Sequence, residues 1–169
     1  MTTETNHSLA LLRDALTEAQ MTVRAYDTKA QIVGVGYIFA LGVITRFENL
    51  FDKSADLNLL RVAAAWFIVI LPIVLFGYVL YPSRRVAPRL DEEERAGIDH
   101  VLYVIPGRQH SIAQLKDAAA RCDPHNEVAY ELLKVSMLRD MKRMRFLRAL
   151  FAAGASFLLI FGTQIIRSL

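Results

Sequence analysis

The side chains of this chain that could do chemistry are few and dispersed. Four histidines, His7, His100, His110 and His125, do not cluster, and Cys122 with His125 makes a lone C-x-x-H. A zinc centre needs about four ligands, so no metal site is expected. Asp99, Arg108 and Ser111 neighbour the two central histidines, but no nucleophile, base and orienting group recur as an activating set. There is no G-x-x-x-x-G-K-[ST] loop. The Gly34-Val35-Gly36 pair lies inside an apolar run, where close helix packing explains it better than phosphate binding. These features predict a protein that is not an enzyme. The single cysteine also rules out an internal disulfide.

Positive charge, in contrast, is concentrated. Arg84 and Arg85 follow one apolar run, and Arg139, Lys142, Arg143, Arg145 and Arg148 precede another. The overall balance, 20 Lys+Arg against 17 Asp+Glu for a net +3, is too weak to imply nucleic acid. Cations beside apolar runs are what cytoplasmic loops retain, and they attract anionic lipid. The cations of residues 139–148 nevertheless spread around more than one helical face, so some must point inward. Asp27 and Lys29 lie at a depth comparable with Lys142 and Arg145, and a pair between Asp27 and one of the latter two would staple two helices together. Gly107-Arg108-Gln109-His110-Ser111 offers a second anion site, where a glycine-containing turn feeds the free N–H groups of a helix start; a solvated loop is the plainer reading.

The elements that position these groups follow from hydrophobic patterning. The chain has 169 residues, 54% of them hydrophobic and 22% charged. Charge is absent between Lys29 and Arg46, between Arg61 and Arg84, and between Arg148 and Arg167. A bilayer core of about 30 Å needs roughly 20 apolar residues in a helix. The latter two runs meet or nearly meet that length. The first reaches across if Lys29 and Arg46 snorkel, with Tyr37, Phe39 and Phe47 adding apolar or interfacial character. The long, mixed-charge arm before it argues against a cleaved signal peptide. The expected fold is an all-α integral membrane protein with three transmembrane helices, at 30–47, 62–81 and 149–166. Thirteen Lys and Arg lie between Arg84 and Arg148, and Arg13, Arg24 and Lys29 lie in the arm. That bias predicts a cytoplasmic N-terminus, a short external loop at 48–61 and an external tail at 167–169.

Outside the lipid, Leu9, Leu12, Leu16, Ala19, Val23, Tyr26, Ala30 and Val33 recur at steps of three and four. They predict a cytoplasmic amphipathic segment over 1–29, helical from about residue 7, capped by Asn6 or Ser8 and running unbroken into the first span. Asp123-Pro124 starts a second long helix over 123–148, with Val128, Leu132, Val135, Leu138 and Met141 as its apolar face. Both enter the membrane from the same side, so they can pack as a parallel cytoplasmic stalk. Between them, 82–122 is a small cytoplasmic α segment with a short β element. It comprises a short helix near 90–97, an extended piece at 100–105 rich in β-branched and aromatic residues, and a helix from about Ser111 to Arg121. About forty residues cannot bury a sufficient core alone, so this segment must lean on the stalk or on another subunit.

The run Ala25-Tyr26-Asp27-Thr28-Lys29-Ala30-Gln31-Ile32 resembles the D-x-K-A signature of the Pycsar effector transmembrane family, PycTM. The resemblance extends to the amino-terminal helix, the two-span hairpin ending at Tyr81-Pro82, and a last long helix carrying Glu131-Leu132-Leu133-Lys134-Val135 and Arg139-Asp140-Met141-Lys142. Lys142 matches the family lysine ahead of the final span. Some relatives carry a fused HD phosphohydrolase domain, which this sequence lacks. The resemblance implies an antiphage effector of a bacterial inner membrane, triggered by cyclic UMP or cyclic CMP from a partner pyrimidine cyclase, with no other cofactor. Such a ligand carries one phosphate charge and a flat base, which calls for a cation and an aromatic face. The groups available are Arg84, Arg85, Arg108, His110, Lys142, Tyr26, Tyr103 and Tyr130, and spacing does not choose among them. Asp27, Lys29 and Arg145 are expected to serve structure. The small residues Ala149, Ala153, Gly154 and Ser156 would permit close approach in a homo-oligomer, and Thr45, Thr163 and Gln164 could face an opening. The competing readings are a membrane-anchored helical scaffold and a small channel subunit without nucleotide control.

Overall fold

The computed structural model describes residues 2–47, 59–82, 88–92, 97–102 and 111–168. Among these, all regular structure is helical: α1 (Thr2–Phe47), α2 (Leu59–Leu80), α3 (Ile112–Arg121) and α4 (Pro124–Ser168). The chain divides into two units, Met1–Arg24 with Ser83–Asp140, and Ala25–Pro82 with Met141–Leu169. Both α1 and α4 therefore contribute to each.

Helix α1 is one helix because nothing in it stops propagation: it has no proline, and its first glycine is Gly34. It starts at Thr2 rather than near residue 7, so Asn6 and Ser8 lie within the helix instead of capping it. The apolar seam faces inward, with Ala19 and Ala30 buried and its remaining members at least partly covered. Helix α4 begins as its opening residues dictate. Pro124 occupies the first turn, where a missing N–H costs nothing, and the Asp123 carboxylate accepts the His125 N–H at 3.0 Å. Ser111 caps α3 in the same manner, its hydroxyl accepting the Gln114 N–H at 3.2 Å.

In the first unit the buried apolar residues are Ala19, Ile98, Ala118 and Val128. The described residues contain no strand. At 100–102 the backbone is irregular because His100 has φ 57°, a left-handed conformation incompatible with extended structure. The rest of the expected extended piece, 103–105, and the core of the expected helix near 90–97 lie outside the described residues.

The second unit is built on Ala30, Tyr37, Leu41, Phe76, Val79, Ala149 and Ala153. Tyr37, expected to add apolar or interfacial character, is 3% exposed. Its polar tip is satisfied internally, at Ser156 and the Val69 carbonyl. Asp27 meets Lys142 and Tyr37 meets Ser156, so α1 and α4 run parallel here. Around that core the exterior is apolar: Ile32, Phe39, Trp66, Phe67, Val74, Phe151 and Leu158 are all more than half exposed. Such a surface is unsuited to water and suited to lipid or to another apolar partner. Helix α4 carries a stretch long and apolar enough to cross a membrane, whereas the apolar run of α2, Trp66–Leu80, is shorter. The expected spans at 30–47 and 62–81 each include residues whose side chains lie outside the described set.

Gly34 marks a close approach of α1 to α2, since a Cβ placed there would lie 3.2 Å from the Phe76 Cβ, while one at Gly36 would meet nothing within 4 Å. Gly34→Val should therefore destabilise the protein by about 1–3 kcal/mol through overpacking. Gly36→Ala should leave stability unchanged or raise it by up to about 1 kcal/mol through helix propensity. Thermal unfolding in detergent micelles distinguishes the two.

Candidate functional site

The most distinctive chemistry in the second unit is a buried ammonium. Lys142 is 6% exposed, and its Nζ donates to the Asp27 carboxylate, whose side chain is one-third exposed. An unpaired ammonium at that burial would cost several kcal/mol, so a carboxylate in reach is a requirement of the position. Asp27 is placed to meet it because α1 and α4 approach closely over small side chains, Ala30 at 1% and Ala149 at 0% exposure. One helical turn along α4 from Lys142, Arg145 takes a different partner. Its guanidinium lies 4.1 Å over the Tyr78 ring and donates to the Tyr78 carbonyl at 3.3 Å. That carbonyl belongs to the last turn of α2, where carbonyls lack helical donors and a cation is favoured. Two cations of α4 one turn apart thus hold α1 through Lys142 and α2 through Arg145.

Aromatic side chains fill the space between these ties. Phe146 lies against Tyr26 of α1 at 6.1 Å and Phe76 of α2 at 6.3 Å between ring centroids. Lys29 sits 5.9 Å from the Tyr26 ring centre, and Lys29, Arg143 and Arg148 are exposed. The two candidate partners of Asp27 are therefore resolved: Lys142 takes the carboxylate and Arg145 turns to Tyr78.

The first unit has its own buried charge. Glu127 is 2% exposed, and its two carboxylate oxygens accept the N–H groups of His100 at 2.8 Å and Val101 at 3.1 Å. The left-handed turn at His100 aims both donors at one acceptor. The His100 ring then meets Tyr130 edge-on at 5.3 Å. Lys134 lies 5.9 Å from the Tyr130 ring centre and pairs with Glu131 at 2.9 Å. Ser8, His125 and Asp123 are in the order of a hydrolytic triad, with Ser8 Oγ 3.1 Å from His125 Nε2. The His125 Nδ1 to Asp123 distance is 3.6 Å, beyond hydrogen-bond range, and the Asp123 oxygen already accepts the His125 N–H. This arrangement caps a helix and docks α1 on α4 without orienting a catalytic base. The Cys122 thiol is pushed above its usual pKa, first by partial removal from water and then by the carboxylates of Glu127, Asp99 and Asp123.

Of the other sequence-derived ligand candidates, Arg84, Arg85, Tyr103, Arg108 and His110 lie outside the described residues. Tyr26 and Lys142 belong to the second unit and Tyr130 to the first. Sequence reasoning missed Glu127 as an anchor. No local signal reveals that it holds a segment 27 residues earlier. It also missed Tyr78 as the seat of Arg145, although an arginine facing the end of an apolar helix is a usable cue.

A family model described as the Pycsar effector protein domain, PycTM, matches residues 11–167. No curated protein and no solved structure matches the chain. The matched region contains α2 and α3 whole, and both members of the Asp27–Lys142 pair.

Two outcomes follow from this geometry. Asp27→Asn strands the Lys142 ammonium and should cost roughly 2–3 kcal/mol, below the fully buried range because Asp27 is partly solvated. Asp27→Leu combined with Lys142→Met should recover most of that loss, both read by thermal unfolding in micelles. For Cys122, a raised pKa leaves less thiolate at a given pH. Its alkylation rate should therefore rise at higher pH than that of a free cysteine, and Glu127→Gln should move the midpoint downward.

Proposed function

We propose that this chain, which belongs to the Pycsar effector family, senses cyclic UMP or cyclic CMP made by a partner pyrimidine cyclase and impairs the bacterial inner membrane, halting the infected cell. Family membership makes it an antiphage effector linked to a cyclic-nucleotide signalling system, and the family together with the apolar stretch of α4 points to membrane association. The observation that carries the reading is the match over residues 11–167, which includes residues of both units.

In this reading the chain crosses the membrane three times, with its N-terminus in the cytoplasm and its C-terminus outside, and works as a homo-oligomer. The outward-facing apolar side chains of α1, α2 and α4 in the second unit support lipid contact. The ligand's phosphate is met by cations from Arg84, Arg85 and Arg108 with His110, and its base by an aromatic face such as Tyr130. The chain performs no covalent chemistry on the nucleotide. Binding reweights pre-existing arrangements of α1 and α4, whose continuous helices extend from the first unit into the second.

A thermal-shift or calorimetric screen of the detergent-solubilised protein against cyclic UMP, CMP, AMP and GMP tests the proposal. One of the pyrimidine nucleotides should stabilise it, by about 2.7 kcal/mol at a hundredfold excess over Kd. Silence with all four would refute nucleotide sensing.

A further inference from the structure

The second unit holds a polar junction that none of the preceding functional assignments uses. Tyr37 of α1 donates its hydroxyl to the Val69 carbonyl of α2 at 3.3 Å and lies 2.7 Å from the Ser156 hydroxyl of α4. Tyr37 has one hydroxyl proton, so with that proton on Val69 the 2.7 Å bond is donated by Ser156. Both side chains are buried, Tyr37 at 3% and Ser156 at 1% exposure. Three helices thus meet through one hydroxyl.

The carbonyl used is not an arbitrary one. Pro72 lies inside α2 and is fully buried. Its ring removes the backbone donor that the Ile68 carbonyl would use and crowds that carbonyl, which weakens the helix at this turn. Val69 supplies the next carbonyl along that weakened turn, and it accepts Tyr37. A helix interrupted in this way can bend at the proline with little further loss of its own hydrogen bonds, so α2 has a built-in hinge. Edge-on packing of Tyr37 against Phe157, at 5.1 Å between centroids, fixes the ring that carries the hydroxyl.

We infer that Tyr37 is the pin of this hinge: bonded to Val69 and Ser156 it holds α2 against α1 and α4 in the resting state, and α2 swings at Pro72 when those bonds break. The pin lies ten residues beyond Asp27 on α1, about 15 Å along the helix. A shift of α1 against α4 at the Asp27–Lys142 level reaches it through the same two helices. In its consequence for the membrane, this inference rests on the effector reading.

Hydrogen bonds between membrane helices typically shift an equilibrium about threefold and at most about twentyfold, which sets the expected size of effect. The test uses the full chain with Tyr37→Phe, which removes both bonds and keeps the ring, and Ser156→Ala, which removes one. Hydrogen–deuterium exchange in micelles should show amides of α2 around Pro72 exchanging three- to twentyfold faster in Tyr37→Phe, with a smaller acceleration in Ser156→Ala. In dye-loaded liposomes, Tyr37→Phe should raise leakage without nucleotide by a similar factor. Exchange at the wild-type rate in both variants overturns the pin. So does leakage of Tyr37→Phe that stays at the wild-type resting level while wild type responds to nucleotide. If wild type responds to neither pyrimidine nucleotide, the effector reading fails, and the exchange measurement still decides the pin.

Discussion

An ammonium group cannot stay charged and unpartnered inside an apolar bundle, and the arrangement of the second unit depends on that constraint. Lys142 is buried, so a carboxylate must lie within reach, and Asp27 supplies it. The two residues are on different helices far apart in the chain, so satisfying the charge fixes which turn of α1 lies beside which turn of α4. Ala30 and Ala149 make the approach close enough, and Phe146 fills the space toward Tyr26 and Phe76. An apolar seam alone would tolerate a slide by one turn with modest loss. A buried charge pair does not, because the slide would leave both groups unpaired.

The same logic recurs in neutral form deeper in the unit and in anionic form in the first unit. Tyr37, Ser156 and the Val69 carbonyl satisfy one another where no water is available, and Glu127 captures two backbone donors from the turn at His100. Each case is a polar group placed where leaving it alone would be costly, and each joins elements distant in sequence. Apolar packing supplies the bulk of cohesion, and these polar ties supply register. A bundle held in one register by a few discrete ties can switch between arrangements by exchanging those ties.

The long-range helical plan was legible because periodicity is a local property. The seam from Leu9 to Val33 and the face from Val128 to Met141 recur at helical spacing, and none of these side chains is classed as exposed. The start of α4 at Asp123-Pro124 was legible for the same reason. The Asp27 staple was legible as an alternative, because depth along two helices can be counted from the apolar runs, but not which of Lys142 and Arg145 would take it. That choice depends on the end of α2 arriving beside Arg145. What could not be read was any partner set by three-dimensional approach. Tyr37 was legible as apolar or interfacial but not as a three-helix junction, because a tyrosine near a helix middle gives no sign of the hydroxyl and the carbonyl that other helices bring to it. Residues 100–105 looked extended because their composition favours strands, whereas the bonds to Glu127 and the left-handed turn at His100 decide otherwise at 100–102.

The pairing of Asp27 with Lys142 is tested most directly by a charge exchange, comparing thermal stability in micelles of Asp27→Lys, Lys142→Asp and the double variant. Each reversal alone should destabilise the protein by placing like charges together, and combining them should restore most of the lost stability. A double variant as unstable as the sum of the two single reversals would contradict the pairing, since Asp27 and Lys142 would then not face each other.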